Sequence, residues 1–194
     1  MFFQRKTLCC KSLDISKGAS VNAKNNHGNT PLYSAAWDNS NEAFLQYLIS
    51  QGADVHTKNN EGNTPLYIAA QKNTNAAQKN TNVDILKCLI SHGANVNVKC
   101  FKGNMPIHTA AQCNTNVDIL RCLISHGANV NTDSQIDGCT PLVVAAMRNS
   151  NVEVSKCLVS NGANVNVIVG GMTLRDFASH NSNPEVLRYI ISVT

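Results

Sequence analysis

The stretch Gly28-Asn29-Thr30-Pro31-Leu32-Tyr33-Ser34-Ala35-Ala36 decides the fold, because it returns along the chain. Recognisable copies begin at Gly62, Gly103 and Gly138, and a degenerate copy begins at Gly170. A second motif, of the form Gly-Ala-(Asp/Asn)-Val-Asn, runs in phase and begins at Gly18, Gly52, Gly93, Gly127 and Gly162. Two motifs that recur together at a period of about 33 residues are typical of a stack of small repeated units.

The second unit is longer than the others because a short segment is duplicated within it. Gln71-Lys72-Asn73-Thr74-Asn75 is repeated from Gln78 to Asn82, and removing one copy of seven residues restores a spacing of 34 residues. Residues 80–97 and 114–131 also differ only at Lys87 and Arg121. A modular stack tolerates such duplications, whereas a globule with a single core usually does not.

Each unit is predicted to form two short helices. Threonine followed by proline starts the first helix, because threonine caps a helix N-terminus and proline suits the first helical position. Asparagine is placed to cap the second helix, in which apolar residues recur at helical spacing. The second helix is predicted to end at Gly93 and its equivalents, in the left-handed conformation that glycine favours. The predicted caps are Thr30, Thr64 and Thr140 for the first helices, and Asn41, Asn82, Asn116, Asn151 and Asn183 for the second helices.

The two motifs closely resemble the ankyrin repeat over about residues 18–194. The resemblance implies an all-α fold, an ankyrin-type solenoid of stacked helix-turn-helix repeats with protruding β-turn fingers. It divides the chain into a degenerate N-terminal half-repeat or cap at 1–26, repeats at 27–57, 61–98 with the seven-residue insertion, 102–132 and 137–167, and a degenerate C-terminal capping repeat at 169–194.

The chain departs from the family pattern at two positions of the repeat. Only His108 keeps the histidine that often follows Thr-Pro-Leu and supports a hydrogen-bond network near the first helix, so we expect weaker polar ties in the other units. The aspartate usual early in a finger is also missing. Asparagine can close the same kind of turn, whereas cysteine cannot do so comparably. The replacements are Tyr33, Tyr67 and Val143 for histidine, and Asn25, Asn59 and Cys100 for aspartate.

Composition and charge exclude several classes of protein. The formal net charge is +4 with scattered lysines and arginines, so we expect no nucleic-acid partner. No run of 18 apolar residues occurs, which predicts no membrane insertion. The first residues lack the apolar stretch of a signal peptide, so the eight cysteines are interpreted as reduced thiols of a cytoplasmic or nuclear protein.

No sequence motif for catalysis is present, so we expect neither an enzyme nor a cofactor. One arrangement has metal-ligand spacing: Cys88 and His92, like Cys122 and His126, are four residues apart and share a helix face. Equivalent helices lie about 10 Å apart, whereas zinc ligands converge to within about 2.3 Å of the metal. We therefore interpret these cysteines as packing residues and expect no metal.

The resemblance implies a function at the surface, since ankyrin-like arrays bind partners with their fingers and the exposed part of the first helices. We therefore predict a monomeric, non-catalytic scaffold that binds a protein through its concave finger and first-helix surface. The candidate partner-binding residues are Lys24, Asn26, His27, Trp37, Lys58, Asn60, Glu61, Gln71, Lys99, Phe101, Lys102, Gln112, Ile136, Met147 and Arg148.

Two features of this set bear on the chemistry of the partner. Apolar side chains at otherwise polar positions suit binding hot spots, although they could instead pack within the array. Three equivalent lysines should form a row along the fingers, which favours an acidic patch on the partner unless the row is only a solvated edge. The apolar residues are Trp37, Phe101, Ile136 and Met147, and the lysines are Lys24, Lys58 and Lys99.

Two other functions stay open at this point. The chain could be a fragment of a longer ankyrin array that positions or inhibits a separate effector domain. It could also be a metal-responsive protein that uses the rows of cysteine and histidine.

Overall fold

A computed structural model describes residues 18–38, 42–71, 79–113, 115–135 and 137–194, with only the backbone of residues 79–82. The helices come in pairs, which we number as units one to five. The first helices are α1 Pro31–Asp38, α3 Pro65–Gln71, α5 Pro106–Cys113, α7 Pro141–Arg148 and α9 Leu174–Ala178. The second helices are α2 Glu42–Ser50, α4 Lys79–Ser91, α6 Val117–Ser125, α8 Val152–Ser160 and α10 Pro184–Val193.

The pairs stack in two rows. Each first helix packs on the first helix of the next unit, and each second helix packs on the second helix of the next unit. The loop that leads into each unit projects as a turn, which we call a finger. The fingers span residues 24–29, 58–63, 99–104, 133–139 and 168–173. The fifth finger holds two short antiparallel strands, β1 Ile168–Val169 and β2 Met172–Thr173, and the fold is otherwise a helical solenoid in the described ranges.

The core runs continuously between the two rows. The alanine pair of the first helix is buried in units one to four, and such small side chains let neighbouring helices approach closely. In the second helices Leu45, Leu86 and Leu120 occupy one equivalent position and are at most 1% exposed. Ser155 takes this position in unit four, and its buried hydroxyl has no hydrogen-bond partner in the described structure.

The helix starts follow from side-chain caps. The Thr30 hydroxyl accepts the backbone N–H of Tyr33 at 3.2 Å, and Thr64 and Thr140 cap α3 and α7 in the same way. At the second helices, the side chain of Asn116 accepts the N–H of Asp118 at 3.1 Å, and Asn151 and Asn183 are equivalent caps. These capping predictions are confirmed, while Asn41 lies outside the described residues.

The predicted cap at Asn82 is wrong. Helix α4 begins at Lys79, so Asn82 lies inside it. The same Asn-Thr-Asn sequence ends at Asn116 immediately before α6, where only residues 114–116 separate the two helices of unit three. In unit two residues 72–78 stand between the helices, so residues 80–82 are not needed to connect them and the backbone there joins α4.

The second helices of units one to four end as predicted at a glycine turn. Gly93 has a φ of 90°, a left-handed conformation that costs a residue with a side chain about 1–2 kcal/mol. In this conformation its N–H donates to the Ile90 carbonyl at 2.9 Å, and the N–H of Ala94 donates to the Leu89 carbonyl at 3.0 Å. The turn therefore satisfies the last carbonyls of α4 and directs the chain into the next finger.

Asparagine side chains clamp the loops of neighbouring units together. Asn97 donates its Nδ2 to the Gly127 carbonyl at 2.9 Å and accepts the N–H of Asn129 on its Oδ1 at 3.1 Å. Equivalent pairs of bonds join Asn22 to Gly52 and Asp54, and Asn131 to Gly162 and Asn164. These contacts give a structural reason for three of the 27 asparagines in the chain.

Candidate partner-binding surface

The first two fingers are closed by an asparagine at their second position. The Oδ1 of Asn25 accepts the backbone N–H groups of His27 at 2.9 Å and Asn29 at 3.0 Å. Asn59 makes the same bonds in the second finger, to Glu61 and Asn63 at 2.9 Å each. As predicted, asparagine can therefore replace the aspartate of the family at this position.

The third finger lacks these side-chain bonds. Cys100 stands at the closing position, and the turn is held by the backbone, with the N–H of Cys100 donating to the Asn104 carbonyl and that of Gly103 to the Cys100 carbonyl, both at 2.9 Å. The tip of this finger is consequently free of the polar side-chain ties that fix the first two. Phe101 occupies that tip.

The fourth finger uses different chemistry. Its closing position is Ser134, whose hydroxyl donates to the Asp137 carboxylate. The same carboxylate accepts the N–H of Cys139 at 3.1 Å. The hydrogen bond from Ser134 holds the pKa of Asp137 below its ordinary value, which stabilises the charged carboxylate in this finger. The predicted site residue Ile136 lies outside the described residues.

Neighbouring fingers are joined by backbone hydrogen bonds. The N–H of Asn60 donates to the His27 carbonyl at 3.1 Å, and the N–H of Phe101 donates to the Glu61 carbonyl at 3.2 Å. The Asn60 amide also donates to the Asn26 carbonyl at 3.1 Å. The first three fingers therefore form one continuous edge rather than separate projections.

Phe101 is the most exposed large apolar residue on this edge, with 71% of its surface accessible. Its ring lies over Gly62 in the second finger, where an added Cβ would come within 2.6 Å of Phe101 Cδ1. The contact fixes one side of the ring, and the other side faces solvent. Phe101 is thus an oriented apolar surface on a backbone that is already ordered.

The equivalent lysines link consecutive fingers. Nζ of Lys24 donates to the Lys58 carbonyl at 3.0 Å, and Nζ of Lys58 donates to the Lys99 carbonyl at 3.0 Å. An ammonium group has three N–H donors, so one such bond leaves two available to another acceptor. The lysines therefore both brace the fingers and present positive charge along them.

One residue of this edge was missed at the sequence level. Ile168 is 70% exposed and stands two residues after the second motif, in the position that Lys24, Lys58 and Lys99 occupy in the earlier fingers. Extending the register of that motif to the fifth finger would have found it. This position of the finger is therefore lysine in units one to three, Asp133 in unit four and the apolar Ile168 in unit five.

The remaining predicted residues differ in their exposure. Among the first-helix residues Arg148 is exposed, whereas the half-buried residues are Trp37, Gln71, Gln112 and Met147. Trp37 packs against the core, so it contributes to stability. The exposed finger residues are Lys24, Asn26, His27, Asn60, Glu61, Phe101 and Lys102, and Lys58 and Lys99 are half-buried.

The cysteine and histidine rows lie on the second helices. Nδ1 of His92 lies 4.0 Å from the Cys88 sulfur and 2.8 Å from the Cys88 carbonyl, so the ring is bound to its own helix. His126 repeats this arrangement with Cys122. Burial raises the pKa of the Cys88 and Cys122 thiols, which disfavours the thiolate that binds metals. In the part of the chain that the structure describes, no three His, Cys, Asp or Glu residues group to hold a metal ion.

Among the described helices the longest, α4, has 13 residues, which is too short to span the hydrocarbon core of a bilayer. A family model of ankyrin repeats matches the chain in three copies, at residues 3–78, 74–169 and 116–193. Repeats of this kind are generally protein–protein interaction modules and are typically non-catalytic. No curated protein matches the chain. With its stacked helix pairs and fingers, and with family matches along almost its whole length, the chain belongs to the ankyrin-repeat family.

Proposed function

We propose that this chain is a non-catalytic scaffold that binds a protein partner through its finger edge and first helices, with Phe101 as the central apolar anchor. The observation that carries the proposal is the 71% exposure of Phe101 on an ordered finger. Aromatic anchors dominate many interfaces, and a side chain whose backbone is already fixed loses little entropy on binding. Gln112 and Met147 on the first helices supply a half-buried surface beside the fingers.

The proposed partner presents an acidic patch around an apolar pocket. Lys99 and Lys102 flank Phe101 in the third finger, and Lys58 lies in the next finger toward the N-terminus. Two N–H donors remain on the Lys58 ammonium after its bond to the Lys99 carbonyl, and they are suited to a carboxylate. Glu61 and Asp133 interrupt the positive charge, so the edge is not the continuous basic stripe that nucleic acid favours.

We further propose a monomer in the cytoplasm or nucleus. Cysteines are rarely left as thiols in oxidising compartments, and the described cysteines here are free. Burial also raises the pKa of Cys157 and several other thiols, so they act as small apolar packing residues.

Site-specific photocrosslinking tests the binding surface. A photoreactive phenylalanine analogue placed at Phe101 is expected to capture a discrete protein from an extract of the source cells, which mass spectrometry would then identify. The same analogue at Ser160, which is exposed at the end of α8 in the second-helix row, is the matched control. Equal crosslinking from both positions would count against the finger edge.

Affinity measurements with the captured partner then test the roles of the residues. Phe101→Ala should weaken binding by roughly 2 kcal/mol or more if Phe101 is a hot spot. Ile191→Ala removes another exposed apolar side chain, 47% accessible on α10 and away from the fingers, and should leave binding unchanged. Lys102→Glu should mainly slow association, and less so at high salt. A Phe101→Ala protein that melts earlier but binds normally would make Phe101 a packing residue.

A further inference from the structure

In units one, three and four, the loop that leads into the finger is tied to the equivalent loop of the next unit by an asparagine, and unit two is the exception. At Asn22, Asn97 and Asn131 the amide Nδ2 lies 2.9–3.0 Å from a glycine carbonyl of the next loop. The Oδ1 of the same asparagine accepts the N–H two residues after that glycine, at 2.7–3.1 Å. These bonds cross the boundaries between units one and two, three and four, and four and five.

His56 occupies the equivalent position at the boundary between units two and three. The two ring nitrogens of an imidazole point away from each other, so they cannot present a donor and an acceptor side by side as a carboxamide does. Its own backbone N–H donates within its loop, to Asp54 Oδ1 at 2.8 Å. Within the described ranges, the two groups that an asparagine would clamp, the Gly93 carbonyl and the Asn95 N–H, have no hydrogen-bond partner.

A cleft of about 180 Å³ opens at the same boundary. Its walls include Val55 and His56 from the loop of unit two, and Ala94, Asn95 and Val98 from the loop of unit three. The missing clamp therefore coincides with a gap in the packing between the two loops.

The finger side of this boundary stays closed. The N–H of Phe101 donates to the Glu61 carbonyl at 3.2 Å, and Nζ of Lys58 donates to the Lys99 carbonyl at 3.0 Å. One side of the boundary is thus bonded, whereas the side at His56 has lost both side-chain bonds. The helices of units two and three still pack across this boundary as those of units three and four do, so the missing clamp is what makes it less restrained than the boundaries that have one.

We propose that the boundary between units two and three is a hinge, at which the array opens on the His56 side while the finger contacts act as the pivot. The hinge divides the array into an N-terminal block of units one and two and a C-terminal block of units three to five. Repeat arrays are stabilised by nearest-neighbour interfaces, so a single weak interface is enough to separate such blocks.

Amide hydrogen exchange on the whole chain tests whether the clamp is missing at His56. The protection factor of the Asn95 N–H should be about tenfold lower than those of its equivalents Asp54, Asn129 and Asn164, because it lacks the bond that they have. His56→Asn should raise the protection of Asn95 by about tenfold and raise Tm. Equal protection of Asn95 and Asp54 in the natural chain would overturn the proposal.

Distances between the two blocks test the hinge itself. Lys87, Arg121 and Lys156 are equivalent exposed residues on α4, α6 and α8, so spin labels attached there through non-natural amino acids report on successive boundaries. The distance distribution between positions 87 and 121 should be broader than that between 121 and 156, and His56→Asn should narrow it. Equal widths at both boundaries would contradict the hinge.

A reciprocal variant protects the test against a failure of His56→Asn to fold. Asn97→His breaks the clamp between units three and four, so it should lower the protection of the Asn129 N–H by about tenfold and broaden the 121–156 distribution. If Asn97→His folds and changes neither quantity, the asparagine clamps do not control opening and the proposal fails.

Discussion

The ring of Phe101 in the third finger lies directly over Gly62 in the second. A Cβ on Gly62 would stand 2.6 Å from Phe101 Cδ1 and 2.6 Å from the Phe101 backbone nitrogen, both closer than real Cβ contacts. Gly62 also has a φ of +78°, which favours glycine. Two separate causes, backbone conformation and the approach of the next finger, therefore require glycine at this position.

Gly62→Ala should lower the free energy of unfolding by about 3 kcal/mol, because left-handed strain adds to displacement of the third finger. Gly127→Ala is the matched control, since its φ is +85° but nothing lies within 4 Å of an added Cβ. It should cost only the strain, about 1–2 kcal/mol. Urea unfolding of both variants measures the difference. Equal losses would mean that the contact between the fingers contributes nothing to stability.

The buried ring of His108 links units three and four. Its Nδ1 accepts the Met105 N–H at 3.1 Å, which places the ring proton on Nε2, and Nε2 donates to the Cys139 carbonyl at 3.2 Å. Burial lowers the pKa of His108 below its ordinary 6.5, although hydrogen bonds to the Cys139 and Thr132 carbonyls oppose this. The unfolded chain therefore binds a proton here at a higher pH than the folded protein does.

Stability should be retained above a pH of about 6.5 and fall as the pH decreases below that value toward the lower pKa of the folded state, because protonation favours the unfolded chain. Thermal melts between about pH 8 and 5 measure the slope. His108→Tyr places at this position the residue found at Tyr33 and Tyr67 in units one and two. It should be less stable near neutral pH by about 1–2 kcal/mol, with a smaller loss on acidification. An unchanged pH slope in this variant would contradict the assignment.

The helix pairs and their caps could be predicted because their causes are local. Thr64 before Pro65 or Asn151 before Val152 specifies a cap within a few residues. Asn82 shows the limit of such reasoning, since the same three residues precede α6 but lie inside α4. The two copies behave differently because the connection between the two helices is longer in unit two than in unit three. A local sequence pattern does not specify that length.

Much of the candidate surface could not be predicted because it depends on contacts between units. The register of the repeats placed Lys24 and Lys58 in one row, yet only the folded structure shows that each ammonium binds the carbonyl of the next lysine. Phe101 is exposed whereas Trp37 packs against the core, and this difference depends on contacts with the neighbouring units. The gap at His56 is visible only after the asparagine clamps have been seen in the other units.

The last unit should act as a cap for the stack. Val186 and Ile190 on α10 are fully buried, and α9 packs on α7. Deleting residues 170–194 should uncover the apolar side of unit four, lower Tm and promote aggregation, as expected when a terminal repeat is removed. Light scattering and thermal melts measure both effects. Removing only Val193 and Thr194, which leaves the buried residues in place, is the control, and equal behaviour of the two truncations would argue against capping.

Ser155 replaces the leucine that the other units bury at the same position of the second helix, and its buried hydroxyl lowers the stability of the fold. Its equivalents Leu45, Leu86 and Leu120 are fully buried apolar side chains, whereas Ser155 is 0% exposed and its hydroxyl has no partner in the described structure. A buried hydroxyl that loses its bonds to water costs about 1–3 kcal/mol. Ser155→Ala removes this cost without adding volume.

Ser155→Ala should therefore raise the free energy of unfolding by about 1 kcal/mol, measured by urea denaturation. Ser160→Ala on the same helix is the matched control, because Ser160 is an exposed residue. Its hydroxyl donates to the Cys157 carbonyl at 3.0 Å, so the change should be neutral or slightly destabilising. Ser155→Leu tests the room at the site: it should stabilise unit four further if the leucine position of the other units is preserved there, and destabilise it if the helices have closed around serine. A loss of stability in Ser155→Ala would show that the hydroxyl is satisfied in solution, for example by a buried water.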